Sequence, residues 1–250
     1  MHSAGYQALG LPFVYVPFAL EEPALPAALT GMRALGIRGL GVSMPFKLSV
    51  IPLLDRLDPL ARRIGSVNTI VNDDGTLTGH NTDAWGAARA LEEAMPLGGR
   101  SVVVLGAGGA ARAAAFAFHD AGMRVHLANR TAAKAEELAR TIGPDVTAGP
   151  LELASFDADA IVNCTSATME GYDAGELVPR SALGPGRVLM DIVYKPIRTR
   201  LIESAQLAGA TVVHGGRMLL HQACRQFELY TGRSAPLEAM HAALESAIGQ

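Results

Sequence analysis

The chain has 250 residues, 49% of them hydrophobic and 18% charged, against a charged share of about 25% in average globular proteins, so it folds around a substantial core and global disorder is excluded. A net charge of -3 offers no basic field, which excludes nucleic acid as the main partner. Two cysteines, Cys164 and Cys224, give neither a disulfide framework nor a metal-ligand spacing, so a reducing, cytoplasmic setting is expected and no metal is.

The first twenty residues carry no Asp, Glu, Lys or Arg, yet they lack a basic start and are punctuated by Pro12 and Pro17, so neither a signal peptide nor a membrane span is expected. Residues 13–16 read as a strand, 25–35 as a helix and 40–43 as a strand. Asp73, Asp74 and Gly75 then separate two β-branched runs, 68–72 and 77–82, which predicts a hairpin and a mixed sheet. A helix over 85–94 leads into Pro96, Leu97, Gly98 and Gly99, which read as a linker. Beyond it, uniformly apolar strands at 101–105, 125–129, 160–164, 188–193 and 211–214 alternate with helices at 110–121 and 131–141, the rhythm of a parallel sheet covered on both faces. Helices over 218–230 and 237–248 close the chain and are expected to return to the first domain. The fold class is therefore α/β, with a doubly wound Rossmann-type parallel sheet and a second, mixed α/β domain. The expected boundaries place 1–82 with 217–250, and 83–216 in the nucleotide-type domain, with the active-site cleft between the two.

Gly106, Ala107, Gly108, Gly109 and Ala110 lie between a buried strand and an alanine-rich helix, with Ala111 where a third small residue packs helix on strand. Free amides at such a helix start suit a pyrophosphate. A purely structural turn needing small residues is the competing reading. About twenty residues further on, where a carboxylate would take two ribose hydroxyls, the chain has Asn129, Arg130 and Thr131, then Lys134. Cations there suit a 2′-phosphate, so NADP is favoured over NAD. Thr131 also reads as the N-cap of the next helix.

Lys47, after Ser43-Met44-Pro45-Phe46, and Asp83, in Gly79-His80-Asn81-Thr82-Asp83, are taken singly no more than a surface lysine and a helix cap. Together with Ser66-Val67-Asn68-Thr69 they resemble the substrate face of the shikimate dehydrogenase family, whose motifs are a Lys after a V-T-x-P-x turn, G-x-N-T-D and G-A-x-N-T. Asn163-Cys164-Thr165-Ser166, Asp191-Ile192-Val193-Tyr194-Lys195-Pro196 and the run from Gly215 to Gln222 are similar to three further motifs of that family, in the same order. The resemblance implies NADP-linked interconversion of 3-dehydroshikimate and shikimate, in aromatic amino acid and chorismate biosynthesis. It also implies Lys47 and Asp83 as the catalytic pair, with Ser43, Asn68, Tyr194 and Gln222 on the substrate. The cofactor would lie on the glycine turn, Asn129, Arg130, Thr131, Lys134, Thr165, Gly215 and Met218. The expected partner is a shikimate-like small molecule, with a homodimer as the open assembly and no membrane or nucleic acid.

Ser43 stands where the family has Thr, and residues around Met44 and 226–230 are similar to the shikimate dehydrogenase-like branch, so quinate or another cyclic hydroxy acid is an alternative substrate. A low-turnover NADP-binding sensor and a folate-type dehydrogenase are the readings from other classes; intact Lys47 and Asp83 disfavour the first, and Ser43, Asn68 and Gln222 the second. His80, His119, His126, His214 and His221 share no metal spacing, Trp85 is expected to pack, and Cys164 to sit as a small apolar residue at a strand end. In the family a first strand and an S-x-S turn, whose hydroxyls bind the substrate carboxylate, precede a P-x-x-H-N stretch; Met1-His2-Ser3 falls at that stretch, so the expectation is a chain that starts late and binds shikimate weakly while retaining NADP.

Overall fold

The computed structural model describes residues 1–153, 156–169 and 177–248. The chain divides into two compact units, one of Met1–Asp83 with Gln222–Ser246, the other chiefly Ala84–His221.

The first unit contains α1 (His2–Ala8), α2 (Leu25–Ala34), β1 (Gly39–Gly41), α3 (Phe46–Ser49), β2 (Arg56–Leu57), α4 (Pro59–Ile64), β3 (Thr69–Asp73) and β4 (Thr76–His80). Its sheet has the order β1-β3-β4-β2 and is mixed: β3 is antiparallel to both β1 and β4, whereas β2 runs parallel to β4. Asp73 pairs with Thr76 across a two-residue turn in which Asp74 and Gly75 have φ of 50° and 89°. Two positive φ values in succession match the right-handed twist of the strands they join, and Asp and Gly tolerate them best. In α4, Asp58 Oδ1 accepts the amides of Leu60 and Ala61 at 3.0 and 3.3 Å, and Gly65 stops the helix in the left-handed conformation at φ 68°. Leu25, Leu29 and Met32 of α2 pack with Val50, Ala61, Val67, Ile70 and Leu77 to form the core of this unit.

Residues 13–16 do not form the expected strand. Among the described residues no strand pairs with them, Pro12 and Pro17 can donate no backbone bond, and Val14 stands 85% exposed. Phe13 and Tyr15 instead turn back onto α1, Phe13 against Tyr6 and Tyr15 stacked on His2 with ring centres 4.3 Å apart.

Two helices, α5 (Thr82–Glu92) and α9 below, continue across the divisions at Asp83 and Gln222, which therefore fall inside continuous helices. Trp85 of α5, expected to pack, is 47% exposed. The second unit continues with β5 (Ser101–Leu105), α6 (Gly109–Asp120), β6 (Arg124–Asn129), α7 (Ala132–Ile142), β7 (Thr147–Pro150), β8 (Ala160–Asn163), β9 (Val188–Asp191), α8 (Arg200–Leu207), β10 (Thr211–His214) and α9 (Gly215–Thr231); α10 (Leu237–Ile248) follows. Its six strands are all parallel in the order β10-β9-β8-β5-β6-β7. Counted from β5, this is the doubly wound arrangement, with its switch point between β5 and β8, where such sheets open a crevice at their carboxyl ends.

The strands are apolar on both sides because helices cover both sides: Val103, Leu105, Ala128, Ile161 and Leu189 share one core with Leu201 and Ala205 of α8. On α6, Ala111, Ala114, Ala115 and Phe118 are fully buried, and the small alanines let the helix lie close to the sheet. The edge strand β7 was not expected from its sequence, Thr-Ala-Gly-Pro. It forms by pairing with β6, from His126 opposite Thr147 to Asn129 opposite Pro150, a position at the edge where proline is tolerated. Among the described residues no helix is long and apolar enough to cross a membrane.

Candidate active site

In the first unit the turn after β1 delivers Lys47 on the short α3, the end of α4 leads to Asn68 just before β3, and the hairpin returns at β4 to place Thr82 and Asp83 at the start of α5. Backbone bonds lock these three segments together: Val67 N donates to Lys47 O at 2.9 Å, and Asn68 N to His80 O at 3.1 Å. The Lys47 ammonium then meets Asp83 Oδ2 at 2.5 Å, with side chains 24% and 12% exposed. Such a part-buried, charge-assisted bond holds both groups in one geometry.

Asn68 is the hub of this site and is 3% exposed. Its Nδ2 donates to Asp83 Oδ1 and to Thr82 Oγ1, both at 2.9 Å, and its Oδ1 accepts Thr82 N at 2.7 Å and Thr69 Oγ1 at 2.9 Å. The side chain therefore caps α5 from outside the helix while aiming the Asp83 carboxylate. Gln222 Oε1 is 3.4 Å from both Asn68 Nδ2 and Thr82 Oγ1. Lys47, Asp83, Asn68 and Gln222 are thus brought together. Ser43 lies in the turn ahead of Lys47, exposed, its carbonyl accepting Phe46 N at 3.0 Å.

One layer further in, Gln226 Nε2 donates to Thr69 Oγ1 at 2.9 Å, and Gln226 Oε1 lies 3.3 Å from Nε2 of the buried His2. Sequence reading missed Gln226, although its spacing of four from Gln222 puts both on one helix face. Burial pushes the His2 pKa down to about 4, against the opposing effect of the Gln226 bond.

In the second unit Gly106 closes β5 with φ 110° and donates its amide to Ala128 O at 2.8 Å. A Cβ there would lie 3.3 Å from Thr165 Cγ2 and 3.4 Å from Cys164 O, so Gly106 and the loop after β8 meet at the switch point. Gly108 is the N-cap of α6, with no side-chain cap and no acid in the first turn, and a Cβ added at Gly108 or Gly109 would meet nothing within 4 Å. Open space over uncapped amides is what an approaching pyrophosphate needs.

At the end of β6, Asn129 Nδ2 donates to Thr131 O at 2.9 Å. Thr131 occupies the N-cap of α7, but its side chain makes no capping bond, contrary to expectation. Arg130 and Lys134 are exposed, no carboxylate among the described residues engages either, and α7 has no acid in its first turn. These residues fit a dinucleotide with a 2′-phosphate. Gly215 opens α9 so close to β9 that a Cβ would fall 2.1 Å from Ile192 O, Met218 is buried behind it, and Tyr194 is 42% exposed. Burial, followed by the charge of Asp191, pushes the Cys164 thiol well above its ordinary range, which favours the protonated thiol over the thiolate. Among the described residues no cluster of three metal-ligating side chains occurs.

A doubly wound sheet with an uncapped glycine turn, in a chain that also carries a buried-edge Lys-Asp pair, defines a dinucleotide-linked oxidoreductase. Residues 1–70 match the shikimate dehydrogenase substrate binding domain, 88–194 the shikimate/quinate 5-dehydrogenase model and 215–245 the shikimate 5′-dehydrogenase C-terminal domain. The chain belongs to the shikimate dehydrogenase family. It is 48% identical to the shikimate dehydrogenase (NADP(+)) of Natronomonas pharaonis over 99% of this chain and 93% of that one. Among solved structures, a shikimate dehydrogenase in complex with NADP+ superposes with a TM-score of 0.95 at 35% identity, covering 100% of this chain and 90% of the other. The 5-ketofructose reductase of Gluconobacter sp. strain CHM43 superposes at 0.91 with 32% identity over 98% and 92%.

Proposed function

We propose that the protein is an NADP-dependent shikimate dehydrogenase, reversibly reducing 3-dehydroshikimate to shikimate. The observation that carries this reading is the Lys47–Asp83 pair at 2.5 Å, with Asn68 fixing the second Asp83 oxygen, in a chain of this family. Reduction of a ketone needs a hydride at carbon and a proton at oxygen. NADPH, when bound, supplies the hydride; Gly106, Gly108 and Gly109 would carry its pyrophosphate and Arg130, Thr131 and Lys134 its 2′-phosphate.

The chain's own work is the proton. As negative charge develops on the carbonyl oxygen, the Lys47 ammonium stabilises it and gives up one proton, leaving a neutral amine that solvent reprotonates. Asp83, ionised, holds Lys47 in place and accepts a hydrogen bond from a substrate hydroxyl. Asn68 and Gln222 supply neutral donors and acceptors to the remaining ring hydroxyls, a task in which amides match a polyol without charge. In the oxidative direction Lys47, as the amine, takes the hydroxyl proton.

A quinate dehydrogenase from Corynebacterium glutamicum that superposes with a TM-score of 0.89 at 32% identity, and Ser43 where the family has Thr, favour one second reading, in which a cyclic hydroxy acid such as quinate is the better substrate. A nicotinamide absorbance assay with NADP+ and NAD+ against shikimate, quinate and simple hydroxy acids separates the two. Preference for shikimate with NADP+ supports the first, whereas higher kcat/KM for quinate would replace it. A cytoplasmic location is part of the proposal, supported by two cysteines that form no disulfide.

A further inference from the structure

Asp191 ends β9 and takes no part in the chemistry above, yet it is a carboxylate at 0% exposure. Among the described residues no Lys, Arg or His lies within ion-pair reach of it. Burial raises its carboxyl pKa, opposed by the hydrogen bonds it accepts. Thr199 Oγ1 donates to Oδ2 at 2.8 Å, while Asn163 Nδ2 and Val193 N donate to Oδ1 at 3.0 and 3.2 Å. An isolated buried carboxylate is costly, so its retention asks for something that a neutral residue would do less well.

The answer lies in the other end of Asn163. This residue ends β8, also at 0% exposure, and its Oδ1 accepts both Thr165 N at 3.0 Å and Thr165 Oγ1 at 2.7 Å. Its Nδ2 further donates to Thr168 Oγ1 at 3.1 Å. An amide can face either way, but an ionised carboxylate only accepts, so Asp191 fixes Nδ2 toward itself and Oδ1 toward Thr165. Thr165 in turn is the residue whose methyl confronts Gly106 at the switch point.

We propose that Asp191 is a positioning residue of the nucleotide site, orienting Asn163 so that the Thr165 loop is held against the glycine turn. The inference rests on the reading of the second unit as the NADP site. Because the loop abuts Gly106, its displacement acts on the pyrophosphate half of the dinucleotide and spares the 2′-phosphate contacts of Arg130 and Lys134.

Dissociation constants for NADPH and for adenosine 2′-monophosphate, which lacks any pyrophosphate oxygen, with thermal unfolding alongside, test it in the full chain. Asp191→Asn, which can turn a donor toward Asn163, is expected to weaken NADPH about tenfold or more while adenosine 2′-monophosphate stays within about twofold. Thr199→Val keeps the carboxylate and the Asn163 bond and is expected to leave both ligands near wild type. If Asp191→Asn does not fold, Asn163→Ser, too short to span from Asp191 to Thr165, is expected to show the same selective loss. Unchanged NADPH affinity, or equal losses for both ligands, would overturn the inference. A folded wild type that binds neither nucleotide would overturn the nucleotide reading itself.

Discussion

Arg130 stands exposed at the end of β6, and no carboxylate among the described residues engages its guanidinium, which leaves it available to a 2′-phosphate. Arg130→Ala is expected to raise the NADP+ dissociation constant about 10- to 100-fold, the worth of one charge-assisted contact, and to leave NAD+ almost unchanged. Titration calorimetry with both nucleotides reads this, and equal losses would make Arg130 structural. His2 makes a second residue-scale claim. Because burial lowers its pKa to about 4, the unfolded chain takes up a proton below about pH 6.5 that the folded chain refuses. Its contribution is therefore complete above the unfolded pKa and declines as pH falls toward 4, by at most about 1.4 kcal/mol per pH unit. Urea denaturation of wild type and His2→Phe at neutral and acid pH should show a shallower pH dependence in the variant; identical slopes would place the proton elsewhere.

At the scale of elements, the strand-turn-helix from β5 to α6 separates backbone need from ligand need. Gly106→Ala forces an L side chain to φ 110° against Thr165, and should cost about 1–2 kcal/mol of stability. Gly108→Ala, at φ -80° with nothing within 4 Å of the new carbon, should leave the melting temperature nearly unchanged and still weaken NADPH. Destabilisation by both, with normal binding in Gly108→Ala, would make the turn purely structural. This turn was legible because glycines between an apolar run and an alanine-rich helix have few other uses, and the core strands because Val102 to Leu105 or Ala160 to Val162 bury on both faces. What was not legible depended on partners distant in sequence. Thr147–Pro150 becomes a strand only because β6 offers it an edge, and residues 13–16, β-branched and aromatic, stay irregular because none of the described strands pairs with them. Likewise Lys47, Asp83 and Asn68 could be singled out by their motifs, whereas the hub role of Asn68, with Thr82 N at 2.7 Å, and the link from Asp191 to Thr165 appear only once three segments meet.

At the scale of the whole molecule, the proposal puts the acid-base pair on the first unit and the dinucleotide turn on the second, so on that proposal neither alone completes a redox reaction. A ligand that binds only the folded state adds RT ln(1 + [L]/Kd), about 2.7 kcal/mol at a hundred times Kd, so NADPH should raise the melting temperature of the wild type and do so less in Arg130→Ala. The central claim is that this chain moves hydride between shikimate and NADP+ with Lys47 handling the proton. It is tested most directly by steady-state oxidation of shikimate by NADP+ in wild type and Lys47→Ala side by side. We expect the wild type to turn over and the variant to lose about 10²- to 10⁴-fold in kcat with little change in the KM for shikimate, because a group that acts on developing charge contributes in the transition state. A wild type inert toward shikimate, or a Lys47→Ala enzyme with near-normal kcat, would contradict it.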